Sequence, residues 1–280
     1  MEMKKSSREI KEAVKKHYAT AITQKTSCCG PTPADFDEQA AVRFAQMAGY
    51  SEQELADMPE LVTSFGCGNP TSMVDMQPGQ TVLDLGSGSG LDLILAAKKV
   101  GPTGKVIGLD MTPEMIETCR KNLKAAGIEN GEVRQGEMEQ MPVADGEVDW
   151  IISNCVINLS PEKEKVFAEA FRVLKPGGRV LVSDIVTLDL SDELREDINA
   201  WVGCIGGAVD EAEYVRLMRD AGFEDVKIVE KMVYDGPSLA VLANDACGCG
   251  PGQDCSVDQA TVDRYVGKVA SVKVSARKPG

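Results

Sequence analysis

The chain has 280 residues, 43% of them apolar, and is therefore long enough to bury a substantial hydrophobic core. Its 44 acidic residues outnumber its 30 lysines and arginines, and the formal charge of -14 disfavours nucleic acid or an anionic membrane as a partner. No segment approaches the roughly 18 apolar residues that a membrane span needs, and the first residues lack the apolar core of a secretion signal. We therefore expect a cytoplasmic protein. The single histidine, His17, lies far from every glycine motif, so a histidine base is poorly supported.

The first 75 residues combine helical sequence with two cysteine-bearing loops. These loops are SCCGPTP, which contains Cys28 and Cys29, and FGCGNPTS, which contains Cys67. The first helix carries lysines on one face, Lys11 among them, but acids interrupt the row, and we interpret this face as solvated surface. We expect residues 1–75 to form a helical N-terminal segment.

From residue 76 onward, short β-rich runs alternate with helical stretches, which is typical of a mostly parallel sheet covered on both faces. The predicted strands are residues 81–86, 105–110, 131–136, 148–155, 179–186, 223–233 and 261–278. Helices are predicted over residues 91–100, 112–127 and 161–174 and within 189–221. The sequence thus predicts an α/β fold, with the sheet domain over residues 76–188 and a C-terminal α+β cap over residues 189–280.

The loop DLGSGSG, from Asp84 to Gly90, joins the first predicted strand to the following helix. Its three glycines permit a tight turn and a close approach of the backbone to a ligand. A dinucleotide-binding loop reads G-x-G-x-x-G, but here the third glycine comes one residue early, and the acid Asp84 would repel a phosphate. Asp110, at the end of the second strand, can accept hydrogen bonds from ribose hydroxyls. These features predict a cofactor with a ribose, a cationic end and no phosphate.

With this loop and this acid, residues 76–188 resemble the Rossmann-like class I methyltransferases, which use S-adenosylmethionine. The resemblance implies that the glycine loop surrounds the amino acid portion of the cofactor and that Asp110, with Met111 beside it, binds the ribose. It also places Glu137 and Met138, in the turn GEMEQMPV, near the base. The residues assigned to the cofactor are Asp84, Gly86, Ser87, Gly88, Gly90, Asp110, Met111, Glu137, Met138 and Asn154.

Three of the nine cysteines stand where a thiol could approach a ligand. Cys155 stands at the carboxyl end of the fourth strand, where open α/β sheets place their ligands. Cys67 and Cys204 lie in the glycine-bearing loops FGCGNP and VGCIGGA. Thiolates converging on one pocket would suit a soft trivalent centre. The alternative for each is a small buried side chain, which is common for cysteine.

The motifs SCCG, GCGNP, DLGSGSG, SNCVINL and CIGGA, in this order, resemble the arsenite methyltransferase family. The resemblance implies that Cys67, Cys155 and Cys204 bind As(III) and that Cys28 or Cys29 takes part in redox turnover. We hypothesise that one of this pair forms a disulfide with Cys67. The expected substrate is arsenite or its small-thiol conjugate, and the expected partner is a thiol reductant of the thioredoxin or glutathione type.

Other functions and other cysteine roles stay open. The same core could serve a small-molecule C- or O-methyltransferase that acts on a quinone precursor, or the cysteines could sequester a thiophilic metal without turnover. The carboxyl-terminal cysteines could collect As(III), hold a structural zinc or form an exposed loop without catalytic consequence; they are Cys247, Cys249 and Cys255. Cys119, in the second helix of the sheet domain, is interpreted as packing.

Overall fold

The computed structural model describes residues 6–24, 45–46, 48–56, 58–59, 66, 68–191, 193–194, 205–240 and 259–280. Its α-helices include Ser7–Gln24 (α1), Glu52–Ala56 (α2), Leu91–Val100 (α3), Pro113–Ala125 (α4), Lys163–Val173 (α5), Glu211–Asp220 (α6) and Gln259–Tyr265 (α7). Its strands are Thr81–Leu85 (β1), Lys105–Asp110 (β2), Gly131–Gln135 (β3), Val148–Asn154 (β4), Leu174–Thr187 (β5), Glu224–Val233 (β6) and Val269–Arg277 (β7). Short 3₁₀ helices span Pro70–Met73 and Ile157–Leu159. None of the helices in these ranges combines the length and the apolar character that a membrane crossing demands.

The strands form one sheet in the order β3-β2-β1-β4-β5-β7-β6. The first five strands pair in parallel, whereas β7 runs antiparallel to both of its neighbours, β5 and β6. Parallel neighbours need crossover connections, and α3, α4 and α5 lie in those connections. The predicted Rossmann-like α/β sheet is confirmed, and β6 and β7 extend it with residues from beyond position 188.

Both faces of the central sheet are buried. Along β1, Leu83 and Leu85 belong to the hydrophobic cluster that contains Phe167 of α5. Val82 points to the opposite face and belongs to the cluster that contains Ile94 of α3. Successive side chains of a strand point to opposite faces, so a strand covered on both sides carries apolar side chains on both faces, as Val82, Leu83 and Leu85 do on β1. The site therefore rests on a rigid, doubly covered scaffold.

The predicted start of the fifth strand is wrong by five residues. The strand was predicted over residues 179–186, but β5 begins at Leu174, which pairs with Val148. The pairing resumes at Arg179 opposite Trp150 after a shift of register. The Pro-Gly-Gly sequence between them does end α5, as predicted, but the backbone stays beside β4 and forms an irregularity within the ladder.

The last predicted strand also begins too early. It was predicted over residues 261–278, whereas β7 begins at Val269 and the preceding residues form α7. Val262 and Tyr265, three positions apart, are both buried, which is the spacing of one helical face. The helical prediction over residues 189–221 is confirmed for α6, while positions 192 and 195–204 lie outside the described residues.

A carboxylic acid lies inside the core between β5 and α6. Asp184 on β5 is 1% exposed, and the Tyr214 hydroxyl donates to its Oδ2 at 3.0 Å. Burial raises the pKa of Asp184 to about 7, and the positive charge of Lys163 and the Tyr214 hydrogen bond counteract burial only in part. The acid therefore retains much of its proton at neutral pH.

We expect Asp184 to make the fold less stable as the pH rises. Its folded-state pKa of about 7 lies above the ordinary value of 3.8, so folding favours the protonated acid. The stabilisation is complete below about pH 4 and is lost as the pH rises through about 7. Relative to Asp184→Asn, the parent should lose about 1.4 kcal/mol of unfolding free energy per pH unit over this window. Urea unfolding at pH 5, 6 and 7 measures this loss; equal pH slopes for the two proteins would contradict it.

Candidate active site

A pocket opens at the carboxyl ends of β1, β2 and β4. It encloses about 770 Å³, including the solvent at its open mouth. Because β1 lies between β2 and β4, the strand order reverses here, and open α/β sheets bind ligands at such a point. The residues of the pocket wall that the sequence predicted are Gly86, Gly88, Asp110, Met111, Glu137, Met138, Asn154 and Cys155.

Asp110 ends β2 and holds the glycine loop in place. Its Oδ2 accepts a hydrogen bond from the Gly88 N–H at 3.0 Å, and its Oδ1 accepts one from the Thr112 N–H at 2.8 Å. Burial raises the pKa of Asp110, while these backbone donors lower it. A carboxylate has about four lone-pair sites, so the group can orient the loop and still accept hydrogen bonds from a ribose.

Three residues assigned to the cofactor from the sequence do not belong to the pocket wall; they are Asp84, Ser87 and Gly90. Asp84, at 2% exposure, lies beneath the loop. Burial raises the pKa of Asp84 well above its ordinary range, and the nearby carboxylates Asp92 and Asp110 raise it further. The neutral acid is thus favoured, and Asp84 contributes less negative charge to the pocket than the sequence argument assumed.

Cys155 lies at the pocket with an unusual backbone. The sequence predicted that β4 includes this residue, but β4 ends at Asn154 and Cys155 has a φ of 61°. This left-handed region costs a residue with a Cβ roughly 1–2 kcal/mol. The Cys155 N–H still donates to the Ser183 carbonyl at 2.7 Å, and the residue is 4% exposed. Strain at a pocket residue is typical of functional sites, where the surrounding structure maintains it.

A buried network beneath the pocket joins three distant parts of the chain. The Tyr50 hydroxyl donates to Asp92 Oδ1 at 2.8 Å, and Asn154 Nδ2 donates to Asp92 Oδ2 at 3.0 Å. Burial raises the pKa of Asp92 to about 6, although the hydrogen bonds from Asn154 and Tyr50 lower it. No motif indicated Tyr50 or Asp92, because 42 residues separate them and only folding brings them together.

Most of the predicted thiols lie outside the described residues, namely Cys28, Cys29, Cys67, Cys204, Cys247, Cys249 and Cys255. The sequence neighbours of Cys67, however, are described and closely packed. A Cβ added to Gly66 would lie 2.1 Å from Asn154 Cγ, and one added to Gly68 would lie 2.1 Å from Ser183 Oγ. A side chain at either position would require Asn154 or Ser183 to move, so both glycines lie directly against β4 and β5.

Ile205, which follows Cys204 in the sequence, is fully buried and belongs to the same hydrophobic cluster as Cys155. Cys119, by contrast, packs in the core between the sheet and α4, and burial raises its pKa to about 12. A thiol with this pKa is protonated at neutral pH and serves as an apolar side chain. The geometry of Cys119 agrees with the packing role predicted for it.

Helix α1 forms one wall of the pocket, which no sequence pattern indicated. Its contributions to the wall are Lys11, Val14 and Tyr18. The interpretation of Lys11 as solvated is wrong, because its side chain is 17% exposed and its Nζ lies 2.7 Å from Glu137 Oε2 and 3.1 Å from Glu139 Oε1. Burial lowers the pKa of Lys11, but hydrogen bonds to these acids raise it overall. Glu137, predicted near the base, thus also ties α1 to the sheet domain.

Known proteins are similar to this chain in sequence and in fold. Residues 76–222 match the family model described as a methyltransferase domain. The chain is 42% identical over 232 residues to the arsenite methyltransferase of Halobacterium salinarum, which covers 80% of this chain and 59% of that protein. It is 30% identical to the crystal structure of the arsenic (III) S-adenosylmethionine methyltransferase from Chlamydomonas reinhardtii, with a TM-score of 0.61 over 90% of this chain and 75% of that one. The chain belongs to the arsenite methyltransferase family.

Membership of the arsenite methyltransferase family confirms the predicted fold class and S-adenosylmethionine as the cofactor. The pocket fits this cofactor: a Cβ added to Gly88 would meet no atom closer than the Gly86 carbonyl oxygen at 3.9 Å, so the bare backbone there faces ligand space. The chain spans about three fifths of the length of the curated arsenite methyltransferases that it matches. It is also 35% identical over 171 residues to a ubiquinone/menaquinone biosynthesis C-methyltransferase of Salmonella paratyphi B, which covers 53% of this chain and 68% of that protein.

Proposed function

We propose that this chain transfers methyl groups from S-adenosylmethionine to As(III) held by the thiolates of Cys67, Cys155 and Cys204, and so detoxifies arsenite. One observation carries the proposal: Cys155 lines the same pocket as Gly88 and Asp110, the residues that we assign to the cofactor. A thiol at this place puts a soft ligand beside the cofactor. Oxygen or nitrogen acceptors would instead call for a base there.

The chemistry of the proposed acceptor explains the residues of the pocket. Bound at the glycine loop, the cofactor supplies a methyl group made electrophilic by its sulfonium. As(III) on three thiolates keeps a lone pair, so arsenic itself is the nucleophile and no side chain has to accept a proton. The described pocket wall accordingly contains no histidine. Its residues would act mainly by positioning the reactants, an effect that is worth about 7–11 kcal/mol in well-oriented systems.

The segments that flank the two undescribed ligands support their convergence on Cys155. Gly66 and Gly68 lie against Asn154 and Ser183, and Ile205 shares the hydrophobic cluster of Cys155. Neutral thiols do not bind As(III) as thiolates do, so binding should weaken at low pH. We infer that the three positions form one soft site, and that free arsenite or its small-thiol conjugate enters it in the cytoplasm.

Repeated methylation requires a reductant. Forming the As–C bond oxidises arsenic formally from As(III) to As(V), and two electrons must return it to As(III). We infer that two thiols, Cys67 and either Cys28 or Cys29, supply these electrons and become a disulfide. A thiol reductant of the thioredoxin or glutathione type would then reduce the disulfide.

Incubation of the chain with methyl-labelled S-adenosylmethionine and arsenite tests the proposal. We expect labelled methylarsenicals by mass spectrometry. Label found only on a quinone-type organic acceptor would support the second candidate, a C-methyltransferase, which the similarity to the Salmonella enzyme favours. Tight arsenite binding without cofactor consumption would support a sequestering protein. The redox step is tested with Cys28→Ser and Cys29→Ser in the absence of a strong thiol reductant. If each variant then completes multiple turnovers at the rate of the parent, the redox step is excluded.

A further inference from the structure

Asn154 connects the segment around Cys67 to the end of β4. Its Oδ1 accepts a hydrogen bond from the Gly68 N–H at 3.2 Å, and its Nδ2 donates to the Gly68 carbonyl at 2.5 Å. One side-chain amide thus binds both polar groups of one backbone residue. Gly68 follows Cys67 in the sequence, and Asn154 precedes Cys155.

The orientation of this amide is determined by its other partners. Besides Gly68, Nδ2 donates to Asp92 Oδ2 at 3.0 Å and to the Tyr50 hydroxyl oxygen at 2.9 Å. An amide has two N–H hydrogens, and three acceptors already share them. The reversed orientation would place the amide oxygen against a carboxylate and a carbonyl. Asn154 therefore has no donor left for the cofactor, although it lines the pocket.

The Asn154 side chain also packs against Gly66, the residue that precedes Cys67 in the sequence. A Cβ on Gly66 would lie 2.1 Å from Asn154 Cγ, 2.2 Å from Nδ2 and 2.3 Å from Oδ1. The amide is thus packed against the residue before Cys67 and hydrogen-bonded to the residue after it. Tyr50 and Asp92, both buried, hold it from below.

We propose that Asn154 is a positioning residue for the methyl acceptor, because it holds the backbone on both sides of Cys67 at the end of β4 next to Cys155. The inference rests on the proposed function for the identity of the acceptor, As(III). It assigns Asn154 to the acceptor site, whereas the sequence assigned it to the cofactor. Outer partners of metal ligands typically contribute about 10–100-fold to affinity.

Asn154→Asp tests this role because it keeps the size of the side chain and replaces the donor by an oxygen. We expect the Kd for sodium arsenite, measured by equilibrium dialysis, to rise about 10–100-fold, and the calorimetric Kd for S-adenosylmethionine to change less than about threefold. The matched control is Asn130→Asp, since Asn130 Nδ2 also donates to two carbonyls, Gly101 at 2.9 Å and Gly104 at 3.1 Å, away from the pocket. The control should lose stability but keep its arsenite affinity.

A rise in the Kd for S-adenosylmethionine with an unchanged Kd for arsenite would overturn the inference and make Asn154 a cofactor residue.

A double-mutant cycle tests the packing of Asn154 against Gly66 independently of arsenite. Gly66→Ala should lower the Tm strongly in the parent but much less in Asn154→Ala, where the colliding atoms are absent. Additive changes in Tm would overturn the inference. If the parent protein binds no arsenite, the proposed function is refuted. The double-mutant cycle still tests whether Asn154 packs against Gly66, because it does not depend on arsenite.

Discussion

Cys155→Ser is expected to lose arsenite methylation while it still binds S-adenosylmethionine. Serine is nearly the same size, but its hydroxyl oxygen is a harder ligand that stays protonated, so it cannot replace a thiolate on a soft centre. We expect arsenite affinity to fall about 100-fold or more, which corresponds to about 2.8 kcal/mol or more of binding free energy. The measurements are the initial rate of label transfer to arsenite and the calorimetric Kd for S-adenosylmethionine.

Cys119→Ser is the matched control for this substitution. Cys119 is fully buried in the core, and its thiol with a pKa of about 12 has no part in the proposed chemistry. The control should lower the free energy of unfolding, because it buries a hydroxyl, and leave arsenite affinity near that of the parent. Equal arsenite affinities for Cys155→Ser and Cys119→Ser would remove Cys155 from the site.

Gly88→Ala is expected to weaken cofactor binding roughly 10-fold to 100-fold, since one extra methyl group in a filled site costs about 1–3 kcal/mol. The protein itself leaves room for the methyl group, whose nearest neighbour would be the Gly86 carbonyl oxygen at 3.9 Å. That room is part of the pocket, so the methyl group competes with the ligand. Calorimetric titration with S-adenosylmethionine measures the loss.

Gly127→Ala separates this steric effect from backbone strain. Gly88 and Gly127 have similar positive φ angles, 51° and 69°, and an added Cβ at Gly127 would meet nothing within 4 Å. Gly127 directly follows the C-cap of α4, whereas the pocket is lined by the first residues of that helix. Both variants should lose about 1–2 kcal/mol of unfolding free energy. If Gly88→Ala bound the cofactor as tightly as Gly127→Ala does, the assignment of the glycine loop to the cofactor would be refuted.

The predictions that agree best with the structure concern residues next to the ends of predicted strands. Gly86 and Gly88 follow the end of β1 and Asp110 ends β2, and parallel strands bring their carboxyl ends to one edge of the sheet. Their meeting at one pocket is thus a consequence of the strand pattern. The errors at the starts of β5 and β7 arise because strand ends depend on pairing with neighbours, which the local pattern does not show.

The residues without a sequence signal are those whose partners are distant in the chain. The contact of Lys11 with Glu137 spans 126 residues, and that of Asn154 with Gly68 spans 86. Lys11 lies among acids and lysines that are typical of ordinary surface, and Asn154 was assigned to the cofactor, without any indication of its contact with Gly68. The contact of Lys11 depends on the packing of α1 against α4, and that of Asn154 depends on the packing of Gly66 against β4.

The succession of strands and helices and the glycine loop were accessible from local pattern, because each depends on residue types at short, regular spacing. The cofactor class and the family followed from the resemblance of these motifs to those of known methyltransferases. The left-handed backbone at Cys155, the Tyr50–Asp92–Asn154 network and the wall formed by α1 required the folded molecule. These features arise from close packing and from hydrogen bonds between segments tens of residues apart, whose partners no linear motif specifies. The sequence contains nine cysteines, and the fold places Cys155 at the pocket formed by the ends of β1, β2 and β4, whereas Cys119 packs in the core.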